Sequence, residues 1–357
     1  MFLAELAIEN LRCLEKAELE FALGTNVLFG ANGAGKTSVL EAVYLLGRGR
    51  SFRTRLNERL VRHGEPRSRV LGRLQSEHRS HRLGVEVRRG GAAKGGTVGR
   101  LDGSDVRSLA DLALTFPVQA IDPDAHKLIE DSAARRRRWL DWVVFHVEPG
   151  FSGFWMRYQR ALQQRNAALR AGMGVHAAWD PELVRDGEAM TAARERVALA
   201  LHPYWSALAA ELTGVEITLN FHAGWDRQVS LEESLQAMAR RDAERRVTHW
   251  GPHRAEVVLQ VRGRPAREVL SRGQQKLAAV ALQLCQLEYL KTEFGLRPTL
   301  LLDDPSAELD QRRLESFLRR IRALDTQTIV AVLDRDTPLL VAPERVFHVE
   351  QGRVFRV

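Results

Sequence analysis

One stretch near the amino terminus has the residue types and spacing that bind phosphate groups. Residues 30–38 are Gly30, Ala31, Asn32, Gly33, Ala34, Gly35, Lys36, Thr37 and Ser38. The first eight fit the pattern G-x-x-x-x-G-K-[ST], whose glycines let successive backbone N–H groups wrap around phosphates. The pattern therefore predicts a nucleoside triphosphate site at 30–38. We expect Lys36 to reach the β- and γ-phosphates and the Thr37 hydroxyl to bind Mg²⁺.

A pair of adjacent carboxylates ends a strand-length apolar run. Residues 299–302 (Thr-Leu-Leu-Leu) are followed by Asp303 and Asp304. The run predicts a buried strand, and an open α/β sheet binds ligands at the carboxyl ends of its strands. We therefore expect Asp303 to hold Mg²⁺ through water, and Asp304 to orient or deprotonate the attacking water. A surface turn is the plain alternative, which the phosphate-binding pattern disfavours.

A third motif opens a long amphipathic segment upstream of that strand. Ser271 is a good helix N-cap, which explains the serine but not the residues that follow it. Those residues are Arg272, Gly273 and Gln274. Ser-x-Gly-Gln at a helix start, shortly before a Leu-Leu-Leu-Asp strand, resembles the signature of ABC-type ATPases. The resemblance implies that this signature contacts a γ-phosphate bound by another subunit, and that 305–310 (Pro-Ser-Ala-Glu-Leu-Asp) is a D-loop crossing the dimer interface.

The hydrophobic pattern supplies the elements that must position these residues. A strand at 26–29 leads into Gly30, and a helix runs from Lys36 to about Leu46. Further strands are expected at 2–8, 17–22, 70–75, 81–88, 255–261, 299–302, 328–333, 345–349 and 353–357. Helices are expected at 127–147, 152–171, 181–212, 231–246, 273–294 and 308–324. A mobile loop is expected at 90–99, and a strand pair is possible at 215–222 and 228–230.

Strands at both ends with helices between them predict one α/β domain that carries a large helical insertion. We place an ATPase head at 1–122 and 247–357, and a mainly helical insertion domain at 123–246. The long interval between Lys36 and Ser271 holds this insertion.

The composition favours a polyanionic partner. Lys+Arg is 53 against 45 for Asp+Glu, a net charge of +8, and 47 of the 53 basic residues are arginine. Arginine presents a planar fork of donors that suits phosphates, so nucleic acid is the first candidate; a general preference for arginine codons would give the same excess.

Cys13 and Cys285 cannot form a CxxC site, which favours a reducing compartment. No 18-residue apolar run and no signal peptide are present, so we expect a cytoplasmic protein without a membrane partner.

The ordered set of motifs resembles the RecF family of recombination mediators along the whole chain. Besides the three motifs above, the similar blocks are 49–53 (Gly-Arg-Ser-Phe-Arg), 135–141 (Arg-Arg-Arg-Arg-Trp-Leu-Asp) and 251–254 (Gly-Pro-His-Arg). The resemblance implies an ABC-type, SMC-like P-loop ATPase head without the long coiled coil. It implies slow, DNA-stimulated hydrolysis of ATP with Mg²⁺, and an ATP-driven homodimer on single-stranded, double-stranded or gapped DNA. It also implies work with RecO and RecR in loading recombinase.

Three positions depart from that family's pattern. Ala255 and Glu256 stand where two aspartates are expected, and Asp334 stands near where a threonine or a switch histidine is expected. These departures predict slower or differently switched hydrolysis with ATP binding kept.

Several arginines and tryptophans admit a structural role. In 135–138 we expect one or two arginines to touch phosphate and one to hold Asp131 or Asp141. Three roles are equally compatible with the next group of arginines: binding DNA, binding the nucleotide and stabilising the domain fold. These are Arg48, Arg50, Arg53 and Arg55. Trp139, Trp142 and Trp155 lie on apolar helical faces and are expected in the core.

Other classes of protein fit the sequence less well. An ABC transporter subunit is the main alternative, but it usually has a shorter run between loop and signature. An SMC cohesion protein needs long heptads or a zinc hook, and a GTPase needs an Asn-Lys-x-Asp motif. Neither pattern occurs in the sequence.

Overall fold

The computed structural model describes residues 1–90, 96–106, 108–172, 174–305, 311–335 and 343–357. Packing divides the chain into two compact units. The first unit is Met1–Ala125 with Gly295–Val357, and the second unit is His126–Phe294. The second unit includes 247–294, which the sequence-based division assigns to the head. Packing alone does not assign function, so the predicted head (1–122 with 247–357) and insertion (123–246) stay a prediction.

The first unit begins with two sheets and the helix between them. Its elements up to residue 125 are β1 (Phe2–Leu11), β2 (Leu14–Glu20), β3 (Thr25–Phe29), α1 (Lys36–Arg48), β4 (Arg67–Gln75), β5 (Ser80–Arg88), β6 (Gly96–Leu101), β7 (Ser104–Asp105), α2 (Leu109–Thr115) and β8 (Val118–Ile121). The second unit follows with α3 (Lys127–Glu130), α4 (Ala133–Val147), α5 (Phe151–Arg170), α6 (Asp180–Thr213), β9 (Thr218–His222), α7 (Leu231–Arg245), β10 (Glu256–Val261), β11 (Arg264–Pro265), α8 (Ala266–Val269) and α9 (Arg272–Phe294). The chain then completes the first unit with β12 (Thr299–Asp303), α10 (Gln311–Leu324), β13 (Thr328–Val332), β14 (Arg345–Glu350) and β15 (Arg353–Arg356).

One sheet of the first unit determines where a ligand can bind. Its strand order is β15-β14-β3-β13-β12-β8, and every neighbouring pair except β14 with β15 is parallel. The other sheet, in the order β2-β1-β4-β5-β6-β7, is antiparallel. Helix α1 contacts strands of both sheets. It is apolar nearly all round, as a helix buried on both sides must be.

The second unit is mainly helical. The 34-residue helix α6 packs against α5 and α9, with Trp205 fully buried in the core. A small antiparallel sheet, β11-β10-β9, packs against α4 and α8 through β10. The helices expected in this region are present, although the segment 127–147 is broken at Asp131 and Ser132 into α3 and α4.

Three sequence-based expectations are wrong in detail. Strand β9 does not pair with 228–230; it pairs with β10, and 228–230 lead into α7 through the capping serine Ser230. The expected loop at 90–99 is strand β6 from Gly96 onward, paired with β5, while 91–95 lie outside the described residues. Trp155 is 41% exposed, not in the core, whereas Trp139 and Trp142 are buried as predicted.

Candidate nucleotide site

The loop after β3 has the backbone that a phosphate cradle requires. Gly30 has φ +149°, and a Cβ there would lie 2.1 Å from the Val349 carbonyl oxygen, so only glycine fits. Gly35 has φ +120° and precedes α1 directly. Residues 31–33 are exposed, and Ala34 is buried. The loop therefore presents backbone to a ligand and is anchored at both ends.

Lys36 lies against the inside of this loop. Its Nζ donates to the carbonyl oxygens of Gly30 at 2.6 Å and Ala31 at 3.0 Å. Burial lowers the pKa of Lys36, and the attraction of Asp303 and Asp304 opposes that shift without cancelling it. The ammonium is thus positioned at the loop by neutral oxygens, which an anionic phosphate can replace.

Thr37 and Asp303 bring two separately predicted motifs together. The Thr37 Oγ1 lies 3.0 Å from each carboxylate oxygen of Asp303, to which it donates. Burial raises the pKa of Asp303, more than the hydrogen bond from Thr37 and the charges of Arg53 and Lys36 lower it. A hydroxyl and a carboxylate side by side form the oxygen-rich pair that Mg²⁺ prefers.

Asp304 follows at the carboxyl end of β12 in an unusual conformation. Its φ is +48°, in the left-handed region that asparagine and aspartate tolerate best among residues with a Cβ. Its backbone N–H donates to the Ala331 carbonyl at 2.9 Å. Such strained residues often cluster at functional sites, which is consistent with the role predicted for Asp304.

The sheet register shows which other residues reach this edge. Leu300 pairs with Gln119 and Leu302 with Ile121, so Asp122 comes next to Asp303. Gln119 lies three residues back along the strand, about 10 Å from the edge at the usual rise per residue. Sequence reasoning missed Asp122, although it is an acid directly after an apolar strand, which is the signal that identified Asp303.

A buried carboxylate on α1 was also missed. Glu41 is fully buried and accepts from Arg12 Nε at 2.9 Å and Nη2 at 3.0 Å, and from the Ser51 hydroxyl. Arg53 Nη1 lies 4.0 Å from Glu41, and its charge also acts on Asp303. Glu41 is the one acidic residue of the otherwise mainly apolar helix α1, and this is the sequence signal that could have identified it. Arg53 thus lies beside the candidate site, whereas Arg48 lies over the Tyr44 ring at 5.6 Å.

Ser271 lies in the second unit as the N-cap of α9. Its hydroxyl accepts from the Gln274 N–H at 3.3 Å, and its own N–H donates to Gln274 Oε1 at 3.1 Å. This reciprocal capping box explains Gln274 as well as Ser271, which sequence reasoning did not expect. Ser271, Arg272 and Gly273 are exposed, and Gln274 is half-buried. The signature segment is therefore accessible to a phosphate from outside its own helix.

Other predicted positions fall as follows. The segment 306–310, including Glu308, lies outside the described residues; Asp334 lies just after β13. Ala255 is buried, and Glu256 accepts from Arg136 Nε at 2.8 Å. One carboxylate, that of Glu256, is therefore present where two aspartates were expected.

The arginine block has mainly structural partners. Arg135 Nε donates to Asp131 at 2.9 Å, as predicted for one of the four arginines. Arg136 is buried and also donates to the carbonyls of Leu128, Ile129 and Asp131. Asp141 is held instead by Arg194.

Three further observations concern metals, membranes and thiols. Within the described residues there is no group of three or more His, Cys, Asp or Glu side chains suited to a metal. A site built from Thr37 and Asp303 needs no such group, because nucleotide and water oxygens complete the shell of Mg²⁺. The described helices include none that is long and apolar enough to span a membrane. Cys13 and Cys285 are both free thiols.

Comparisons with known proteins give a matching family, similar curated proteins and similar solved structures. The RecF/RecN/SMC N terminal domain family matches residues 2–353. The DNA replication and repair protein RecF of Thioalkalivibrio sulfidiphilus is 37% identical over 357 residues, covering 99% of this chain and 98% of that protein. A solved structure of the recombination mediator protein RecF with ATP, in the RecFOR pathway, has a TM-score of 0.89 and 25% identity, covering 100% of this chain and 97% of that one. An SMC head bound to the C-terminal winged-helix domain of ScpA covers 100% of this chain and 97% of that one at a TM-score of 0.60; its 16% identity shows a shared fold alone. The expected ABC-type α/β fold is confirmed.

Proposed function

The chain belongs to the RecF family, and from that premise we propose that it is an ATP-dependent DNA-binding protein of recombinational DNA repair. The observation that carries the proposal is the approach of Thr37 to Asp303, at 3.0 Å. It joins the phosphate loop to the acidic strand end at the edge where open α/β sheets bind ligands. A related RecF structure was solved with ATP, which supports the proposed ATP binding.

ATP binds with its phosphates in the loop at 30–38. Lys36 exchanges its two carbonyl partners for phosphate oxygens, and Thr37 and Asp303 hold Mg²⁺, Asp303 through water. When bound, the metal supplies positive charge that neutralises the phosphates. Ser38 and the first turn of α1 add backbone N–H groups at the positive end of the helix.

Hydrolysis is slow and serves as a switch. Asp304 orients or deprotonates the attacking water, since its backbone is fixed at the strand end beside Asp303. DNA stimulates this reaction, as the family resemblance implies. Arg53 and Asp122 are further charged groups at this edge.

The second half of the site comes from another copy of the chain. Ser271, Arg272, Gly273 and Gln274 begin α9 and contact the γ-phosphate held by a partner protomer. The capping box leaves the Ser271 hydroxyl proton available, because that hydroxyl acts as acceptor within its own helix. ATP therefore drives formation of a homodimer on single-stranded, double-stranded or gapped DNA.

The dimer helps RecO and RecR to load recombinase at gaps. The related structure in the RecFOR pathway supports this partner assignment. A cytoplasmic location follows from the repair function. The transporter alternative is not retained, since the family and its curated relatives are of the repair type.

Light scattering tests the proposal directly. Mg-ATP should convert a monomer into a dimer, and Ser271→Arg should prevent the dimer while the monomer still binds ATP. Anisotropy with labelled gapped, single-stranded and duplex DNA, with and without ATP, should show ATP-dependent binding. A protein that binds ATP and stays monomeric at tens of micromolar would contradict the proposal.

A further inference from the structure

The segment 251–256 of the second unit is fixed residue by residue. Arg194 Nη1 donates to the Pro252 carbonyl at 2.7 Å, and Arg137 Nη1 donates to the Ala255 carbonyl at 2.6 Å. Gly251 has φ +135°, and a Cβ there would lie 2.7 Å from the Tyr158 hydroxyl. The segment therefore has one conformation, imposed from several sides.

His253 contributes to this rigidity without contributing charge. Its Nε2 lies 3.0 Å from the Thr248 carbonyl oxygen, which can only accept, so Nε2 carries the proton. Nδ1 then accepts from the Tyr158 hydroxyl at 2.7 Å. Burial lowers the pKa of His253 to about 4, and the nearby positive charge of Arg254 adds to the shift. The ring is neutral at physiological pH.

Arg254 is the exception in the segment. Its side chain is exposed, and it makes no hydrogen bond or ion pair with any of the described residues. Its backbone N–H is used, donating to the Gly251 carbonyl at 2.8 Å. A rigid segment thus presents the guanidinium of Arg254 to solvent, and the backbone of Arg254 is held in place by the residues on both sides of it.

The charges around this segment do not balance. Asp141 accepts from Arg194 Nε at 2.7 Å and Nη2 at 2.9 Å, and Glu256 accepts from Arg136. Both carboxylates are thereby paired, which leaves the guanidiniums of Arg137 and Arg254 in excess. Burial lowers the pKa of Arg137, Arg194 and Arg254 lower it further, and the two carboxylates only partly oppose this. An anion at Arg137 and Arg254 would relieve that repulsion.

We propose that Arg254, supported by Arg137, is a preformed contact for a phosphate group of the DNA backbone. The inference rests on the proposed DNA binding and names one place where it occurs. The planar guanidinium matches the geometry of a phosphate group. Because the backbone of Arg254 is already fixed, less conformational entropy is lost when the contact forms. A contact to the phosphate backbone carries no sequence information. It therefore contributes to the affinity for DNA and not to a sequence preference.

The test is a salt titration of DNA binding by the full chain with Mg-ATP, using a labelled gapped duplex between about 50 and 200 mM salt. Arg254→Gln should bind about 10-fold more weakly at low salt, since it loses one charge-assisted contact. Its log–log salt slope should be shallower by about 0.9 for each protomer that touches DNA. Arg254→Lys keeps the charge and loses the fork, so it should keep the slope with an intermediate affinity.

Arg240→Gln is the matched control. It removes the same charge from a side chain that is 92% exposed and paired with Glu244 at 3.0 Å. Its affinity and slope should match the wild type. Thermal unfolding checks the fold of each variant. If Arg254→Gln does not fold, Arg254→Lys alone decides: a several-fold loss of affinity at an unchanged slope supports the proposal, and wild-type affinity overturns it.

The outcomes separate this inference from the proposed function. Wild-type protein that does not bind DNA with ATP would remove both. Wild-type binding with an unchanged slope for Arg254→Gln would overturn the phosphate contact alone. Loss of the ATP-driven dimer by Arg254→Gln, measured without DNA, would show that this arginine serves a protein contact, and would overturn the proposal as well.

Discussion

Two buried groups of charged residues in this chain are held in opposite ways. In the second unit, Arg165 is fully buried, and its Nε and Nη1 donate at 2.7 Å to Asp180 and Asp242 respectively. Asp242 in turn accepts from the backbone and the ring of His249. In the first unit, Lys36 donates to two neutral carbonyl oxygens, and Asp303 accepts from the hydroxyl of Thr37, so neither has a hydrogen-bonded counter-charge among the described residues.

The two groups differ in whether the folded state favours the charged form of their side chains. Burial moves the pKa of Lys36 down and that of Asp303 up, so the folded state disfavours the charged form of each. The group around Arg165 instead opposes each buried charge with a hydrogen-bonded counter-charge. Charges that stabilise the fold are matched within it, whereas charges that await a ligand are left under-compensated.

Breaking the matched group should have the largest effect. Asp242→Ala removes the partner of a fully buried guanidinium, and should lower the free energy of unfolding by about 3–5 kcal/mol. Urea unfolding followed by tryptophan fluorescence measures this. Glu244→Ala, which removes only the exposed pair with Arg240, is the control and should change stability by less than about 0.5 kcal/mol. Equal effects of the two variants would contradict the comparison.

Asp304→Asn should change turnover and not binding. The amide keeps the shape of the side chain but removes its charge and its basicity, so turnover should fall about 10²-fold or more. ATP should stay bound and the dimer should accumulate on DNA. Phosphate release and light scattering measure the two effects. If the variant hydrolyses ATP like the wild type, another group at the same edge, with Asp122 ahead of Gln119 by the sheet register, must position the water.

Lys36→Met should weaken ATP binding by about 10- to 100-fold, because it removes charge-assisted hydrogen bonds to the phosphates. Dimerisation and hydrolysis should fall with it. Thermal stability without nucleotide should not fall, since the buried ammonium is already disfavoured in the folded state. Nucleotide anisotropy and thermal unfolding test these two statements separately. A marked loss of stability would place Lys36 among the matched charges.

Asp303→Asn should have a small effect on stability, opposite in sign to that of Asp242→Ala. The pKa of Asp303 is raised, so at pH values between the unfolded and the folded pKa the folded protein keeps a proton that the unfolded chain has released. Stability from this group is present at low pH and is lost as pH rises through the window above the unfolded value. Asparagine does not titrate, so the melting temperature at neutral pH should rise by roughly 1–3 °C. The gain should vanish at acid pH, while Mg²⁺-dependent ATP binding falls.

Local sequence signals predicted the phosphate loop's flanking strand and helix, and the acidic strand end, better than the packing around them. The glycine spacing at 30–37 and the acids after 299–302 are short-range patterns, and the parallel register brings them together as expected. The pairing of β9 with β10, instead of 228–230, depends on contacts between distant residues that no local pattern encodes. The same holds for Asp141, whose partner is Arg194 on a different helix. The prediction that Trp155 lies in the core was wrong, because an apolar helical face in the sequence does not show which other element covers it.

In the proposed dimer, each ATP site combines the loop of one protomer with the signature of another. Lys36→Met and Ser271→Arg should each be inactive alone, because the first lacks a working loop and the second a working signature. Mixed in equal amounts, they should recover a measurable part of wild-type ATP hydrolysis, since a mixed dimer holds one loop and one signature that are both intact and face each other. Phosphate release from the mixture decides the matter. A mixture as inactive as its two components, with wild-type protein active under the same conditions, would contradict the shared site.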